Sequence, residues 1–576
     1  MRTRWLVWLV LCVAMAAPLR AADLASVVSE DALLYVEVSD PKGVWADFEQ
    51  SGLRDMIRAL PQGELQFRMV AGIVQQVALT QLGLRLGEFA ETHAKRFAIV
   101  VAEPPGAGAP MPCLLFDVAK TKDAMRDLLR NTVERTLKAN ERNATVADDL
   151  HQDVAIRLVS AGGRNAAYVF LGDILVTGTR EAVKRLIDAR AQRPLSANKP
   201  FTKVRAKLAV PKGIVAYLNL RRILADNKAQ LDANPDLARK LDDIGLTTLQ
   251  WAAWSSAFDG RGIRDRLILY SGERRVGLLR LLGSLSQGAS TGALVVPKEC
   301  PIFASFAFKD GPELWQAILR YLEEGGNVEH LARLDEGRNT VFLHMGINFD
   351  EDFVGALGGE IFFAANPDAI ATYAAKGKMP QRADLPYIIG LRVAKPDAMK
   401  TTIHRFIASQ PMVGQGVERK VSTHRGTEIS TISQPGRDLR PAYAFVGDYL
   451  LIARSSDVIR CCIDAKADNQ GLGTTRRYKP FLSQMPARHN GLLYADVEGI
   501  LLAALTQGKG LPTDRPPKPG EAIAAQLRGT YATLAAEEDG LVLETYTRPG
   551  LAGILGAVLG FSAWERVTTP TVVPGF

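Results

Sequence analysis

Two segments of this chain, 270 to 280 residues apart, match each other piece by piece and in the same order. Asp31-Ala-Leu-Leu-Tyr-Val-Glu-Val-Ser-Asp40, leading to Trp45, is answered by Pro301-Ile-Phe-Ala-Ser-Phe-Ala-Phe-Lys-Asp310, leading to Trp315. Asp123-Ala124-Met125 recurs as Asp397-Ala398-Met399. Tyr168, Phe170, Gly172, Asp173 and Leu175 recur as Tyr443, Phe445, Gly447, Asp448 and Leu450. Ile187-Asp188-Ala189 pairs with Ile463-Asp464-Ala465, and Lys199-Pro200-Phe201 with Lys479-Pro480-Phe481. The offsets run 270, 274, 275, 276 and 280, drifting as loop insertions would make them drift. Internal repetition of this kind means that one supersecondary plan serves twice. The reading is two tandem homologous units, 24–287 and 293–570, joined by a Ser/Gly-rich linker, 288–292, with a tail at 571–576.

Within a unit the pattern predicts strand, helix, strands, helix, hairpin, helix, strand. Leu33–Val38 is rich in β-branched residues, and Asp40 with Pro41 can open the helix carrying Val44, Trp45 and Phe48. Met125, Leu129, Val133 and Leu137 share one helical face, as do Met399, Ile403, Phe406 and Ile407, and such faces need a sheet to bury against. Gly172-Asp173 and Gly447-Asp448 read as hairpin turns with glycine at positive φ. The fold class expected is α+β, each unit a mostly antiparallel or mixed sheet packed with helices.

The N-terminus reads as an address. Arg2 and Arg4 precede Trp5–Ala17, an apolar run of 13, and then come Pro18 and a small residue, Ala21, for signal-peptidase cleavage. Residues 1–21 are therefore expected to be a signal peptide, and the protein to be exported to the periplasm or beyond. Thirteen apolar residues are too few for a spanning helix. Leu551–Trp564, with Gly556 and Gly560, is also too short to span and reads as a core helix, with peripheral membrane contact as the second reading.

Composition adds exclusions. With 47% hydrophobic and 23% charged residues, disorder is out. The signal segment takes three arginines and no acid with it, so the net charge falls from +8 to +5, too dilute over the chain to argue for nucleic acid. Cys113, Cys300, Cys461 and Cys462 are too few for a disulfide framework, and the adjacent pair reads as small apolar residues in a helix, Ser456–Lys466.

No chemistry is encoded locally. Gly288-Ala-Ser290-Thr-Gly292 matches the nucleophile-elbow pattern but lies in the linker without the strand that lifts such a serine. His93, His151, His330, His344, His404, His424 and His489 never come close in sequence, so no metal site is expected. Asp148-Asp149 and Asp350-Glu351-Asp352 read as solvated acids, the latter at a helix start, and Gly355–Gly359 lacks the residues of a phosphate cradle. No catalytic, cofactor-binding or metal residue is assigned.

Glu30-Asp31-Ala32-Leu33-Leu34-Tyr35-Val36, followed by a capped helix with Trp45, resembles exported bacterial proteins of domain-of-unknown-function family 3352. Phe349-Asp350-Glu351-Asp352-Phe353 before Leu357-Gly358-Gly359-Glu360 is similar to that family's pre-strand segment. The resemblance implies an envelope location and an unassigned role. The expectation is a non-enzymatic binding or scaffold protein whose partner is an envelope protein or an apolar ligand. The alternatives are a carrier or chaperone for lipid or apolar cargo, and an exported hydrolase with a site assembled from distant residues.

Overall fold

A computed structural model describes residues 23–59, 64, 95–101, 112–134, 144–161, 164–208, 210–325, 328–365, 387–409, 418–433, 440–476, 478–479, 486–496, 498, 529–548 and 550. The class is α+β, and every strand ladder among the described residues is antiparallel. The chain divides into two compact units, Met1–Ala46 with Arg68–Arg222, and Asp47–Phe67 with Ile223–Phe576. The segment expected to be the signal peptide, Ala21 included, lies outside the described residues, as do His93 and Leu551–Trp564.

In chain order the first half runs β1 (Leu34–Ser39), α1 (Pro41–Glu49), α2 (Gly52–Ala59), β2 (Arg96–Val101), β3 (Pro112–Asp117), α3 (Lys122–Asp127), β4 (Thr145–His151), β5 (Val154–Ala161), β6 (Arg164–Leu171), β7 (Ile174–Gly178), α4 (Arg180–Gln192), α5 (Lys199–Leu208) and β8 (Gly213–Asn219). Strands of the first unit pair in the order β8-β1-β2-β3-β7-β6-β5-β4. The expected local signals operate. The Asp40 carboxylate accepts the Gly43 N–H at 3.1 Å, and Gly172 turns the β6–β7 hairpin at φ +64°. One face of this sheet is closed by α4 through Val183, Leu186 and Ile187 and by α5 through Phe201, Val204 and Leu208, all buried. Phe201 meets Tyr35 and Tyr217 at ring distances of 5.9 and 4.5 Å.

Then follow α6 (Leu220–Asp226), α7 (Lys228–Asp232), α8 (Pro235–Ile244), β9 (Trp251–Asp259), β10 (Gly262–Tyr270), α9 (Gly277–Gly283), β11 (Ile302–Ala307), α10 (Gly311–Glu324), α11 (Val328–Met345), β12 (Leu357–Ala365), β13 (Tyr387–Val393), α12 (Pro396–Ala408), β14 (Glu418–His424), β15 (Thr427–Ser433), β16 (Ala442–Val446), β17 (Tyr449–Ala453), α13 (Ser456–Ala467), β18 (Gly491–Ala495), β19 (Thr530–Glu537) and β20 (Gly540–Thr547). Strands of the second unit pair in the order β14-β15-β16-β17-β13-β12-β11-β18-β19-β20-β10-β9. Its main core gathers Phe303, Phe362, Tyr449, Ile459, Cys462, Tyr478, Tyr494 and Tyr531. Tyr478 stands 6.4 Å from Phe303 and 5.1 Å from Tyr494 by ring centroid. Phe481, matched to Phe201 in sequence, lies outside the described residues.

Two side chains depart from the expected faces. Met399 of α12 is buried, but Phe406, in the last turn, is 46% exposed. Of the adjacent cysteines, Cys462 is buried in the core while Cys461 is exposed, since neighbours on a helix point about 100° apart and cannot both face one sheet.

Candidate functional site

Alternation along a strand sends successive side chains to opposite faces, so a strand apolar at both parities needs cover on both sides. β1 is buried on one parity despite its acid and aliphatic on the other. Tyr35 and Glu37 are buried beneath α5, while Leu34, Val36 and Val38 face the other way and are only half-buried. Pairing brings them into rows: Leu34 with Val101 and Leu218, Val36 with Ile99 and Ala216, Val38 with Phe97 and Ile214. The rest of that face is covered by Met125 of α3 and by Leu129, which pack on Phe116 and Leu175 with Tyr168 and Phe170 alongside. The rows on β2, β1 and β8 are half-buried aliphatic surface.

The second unit holds a comparable arrangement in its own residues. Met399, with Ile403 and Ile407 beside it, covers Tyr443 and Leu450. On β12, β11 and β18 the row Phe363–Ala304–Leu493 and the neighbouring Ile361–Phe306 pair remain half-buried or exposed, with Phe363 at 41% and Leu493 at 42%. Strand spacing of about 4.8 Å makes the row across three strands about 10 Å wide, the scale of a short aliphatic chain. Among the described residues no polar side chain interrupts these rows, which present aliphatic and aromatic groups suited to apolar contact.

The strongest polar constellation surrounds Ser290, which the motif singled out. Its hydroxyl donates to Glu360 Oε1 at 2.6 Å and accepts from Ser305 Oγ at 2.8 Å. Glu360, on β12 and fully buried, also accepts the N–H of Thr291 at 2.8 Å and of Gly292 at 3.2 Å, and the Tyr449 hydroxyl at 2.5 Å. Gly292 has to be glycine, since a Cβ there would lie 2.4 Å from the Phe362 ring. Burial first, then the Glu360 charge, pushes the Tyr449 phenol well above its ordinary range. A nucleophile would need its proton taken and two N–H groups aimed at an oxyanion. Here the N–H groups of Thr291 and Gly292 aim at the same carboxylate that holds Ser290. The arrangement ties segment 290–292 to the sheet, and Gln287 Nε2 on the Ala536 carbonyl and Ser286 on Glu313 extend the tie.

The first unit holds a buried acid too. Glu37 accepts from the Tyr35 hydroxyl at 2.6 Å, from Arg205 at 3.2 Å and from Arg96 at 3.4 Å, and Arg205 also pairs with Asp23 at 2.8 Å. Burial opposes the Arg205 charge, but Asp23 and Glu37 outweigh it and raise its pKa. Neither Glu37 nor Glu360 was singled out by the sequence reading. A lone acid inside an apolar strand run, Val36-Glu37-Val38 or Gly359-Glu360-Ile361, is the signal that points to one.

The remaining candidates stay apart. His151 and His424, at the ends of β4 and β14, bond Asp188 and Asp464 at 2.7 and 2.8 Å. His404 contacts Arg419, and His489 is buried with Nε2 unbonded among the described residues. Asp149 pairs with Arg180 and Lys184, and Asp148 with Arg157. The backbone N–H groups of Asp350 and Glu351 donate to Asn348 Oδ1, and the Asp350 carboxylate pairs with Arg338. Among the described residues no three His, Cys, Asp or Glu side chains come together to hold a metal ion, and no helix is long and apolar enough to cross a membrane.

The family described as "Protein of unknown function (DUF3352)" matches residues 270–568. A search of curated proteins finds no match. Among solved structures, crystal form IV of TP0453 is similar at 10% identity and a TM-score of 0.22, covering 43% of this chain and 81% of that one. Crystal form I of TP0453 gives 10% identity and 0.23, covering 47% and 90%. Scores this low bear on neither fold nor role.

Proposed function

Because this chain belongs to the DUF3352 family of proteins of unknown function, a membership that carries no activity with it, we propose a role from its geometry: an exported, non-enzymatic binding or scaffold protein of the cell envelope, built from one unit used twice. The half-buried aliphatic rows carry the binding reading. An exposed contiguous apolar surface is costly in water unless something covers it, and such surfaces mark partner or ligand sites. The occupant proposed is an apolar ligand, such as lipid acyl chains, or an apolar segment of an envelope protein. The export reading is supported by the signal-like N-terminus.

Duplication is supported by parallels within each unit. The orders β8-β1-β2-β3-β7-β6-β5-β4 and β18-β11-β12-β13-β17-β16-β15-β14 are the same plan. Single bridges, Ser29 to Pro194 and Pro297 to Gly471, stand at matching places. So do the His151–Asp188 and His424–Asp464 pairs.

The test is native purification of the full chain from the envelope, with mass spectrometry of co-purifying lipid and protein. We expect an apolar companion, lost in a Phe363→Asp, Leu493→Asp double variant that folds normally, because both side chains are already exposed. Companions unchanged by that variant would overturn the reading, as would recovery of the protein in the cytosol alone. Ester hydrolysis abolished by Ser290→Ala would replace it with a hydrolase.

A further inference from the structure

Averaged over the chain the charge is weak, but it is not evenly spread. Residues 180–225 contain twelve Lys and Arg and two acids, a net of +10, while the whole chain carries +8. These residues form α4, α5, β8 and the start of α6. Since α4 and α5 turn Val183, Leu186, Phe201 and Val204 into the core, their other sides face outward. Arg180, Arg190, Arg193, Lys199 and Lys203 are exposed there. Asp149 reaches Arg180 and Lys184, Glu30 reaches Arg193, and Asp23 with Glu37 holds Arg205. Within 180–225 itself the basic residues outnumber the acidic ones six to one, and Arg190 and Lys199 stand exposed on the outer face. In α13, which follows the corresponding hairpin of the second unit, Arg460 and Lys466 are balanced by Asp457 and Asp464.

We propose that the outer face of α4 and α5 is a docking surface for an anionic phospholipid bilayer. Charge complementarity selects the occupant: two neighbouring helices present several cations outward, and each Lys or Arg near an anionic leaflet adds attraction. Nucleic acid is the poorer fit, because single-strand binding leans on aromatic platforms and the one aromatic on these helices, Phe201, is buried. The surface is separate from the apolar rows, which lie on the opposite face of the first unit's sheet, and the inference goes beyond the binding role assigned to them.

Sedimentation of the purified full chain with vesicles tests it. We expect co-sedimentation with phosphatidylcholine vesicles containing one-quarter phosphatidylglycerol, release by high salt, and no binding to pure phosphatidylcholine. Arg190→Ser with Lys199→Ser should weaken binding about 25-fold, about five-fold per cation, whereas Arg320→Ser with Arg333→Ser in α10 and α11 should change it little. Binding that ignores headgroup charge and salt would assign the membrane contact to apolar surface and overturn the proposal. So would equal loss in both double variants, or retention of a DNA duplex with the vesicles ignored.

Discussion

Glu360 concentrates four donors on one buried carboxylate, and its value lies in leaving none of them orphaned. Replacing it with glutamine puts an N–H₂ where an acceptor is needed. The expected cost of Glu360→Gln is about 2–3 kcal/mol by urea denaturation, against about 1 kcal/mol for Ser290→Ala, which removes one donor. His489 is the opposite case, a buried ring with little to hold its charge. Burial pushes its pKa below the usual imidazole range, with the Pro486 carbonyl and Glu360 opposing. The unfolded chain therefore takes up this proton at a higher pH than the folded one, so stability should fall as pH drops through about 6.5. In His489→Gln that part of the pH dependence should vanish, which thermal unfolding across pH 5–8 would read.

The elements were the most legible level in the sequence. The β6–β7 turn shows why: Gly172 sits at φ +64° with open space where a Cβ would go, so only backbone strain opposes substitution. Gly172→Ala should cost about 1–2 kcal/mol in chemical denaturation without disturbing any packing. Helix α13 was likewise readable as Ser456–Lys466, because apolar spacing along one element is a local signal. Less legible was the double-sided character of β1 and β11. Ile302–Ala307 is mostly apolar at both parities and Leu34–Ser39 buries an acid on one of them, so periodicity alone does not say which face is covered. Whether both faces are covered depends on which layers come back over them, and among the described residues α3 and α12 cover only part.

Across the molecule, the ladder that matters is β10 on β20. It joins Ile263–Tyr270 to Gly540–Thr547, elements from either side of the Ser/Gly-rich segment read as a linker. A fragment of residues 24–287 would leave the β10 edge unpaired. Long open edges with alternating apolar residues invite association. We expect that fragment to elute as aggregate in size-exclusion chromatography while the chain lacking only residues 1–21 elutes as a defined species. A monomeric, cooperatively folding fragment would show that the ladder is dispensable.

Strand and helix positions, the glycine turns, the α+β class and the family were all within reach of the residues alone, because each rests on interactions between neighbours in sequence or on spacing along one element. The Ser290–Glu360 tie, the His489 environment and the half-buried aliphatic rows were decided only when segments 70 to 280 residues apart met. A carboxylate's role depends on which donors surround it, and a strand's exposure on which layer returns to it. Neither quantity is local, so no pattern in a short window records it.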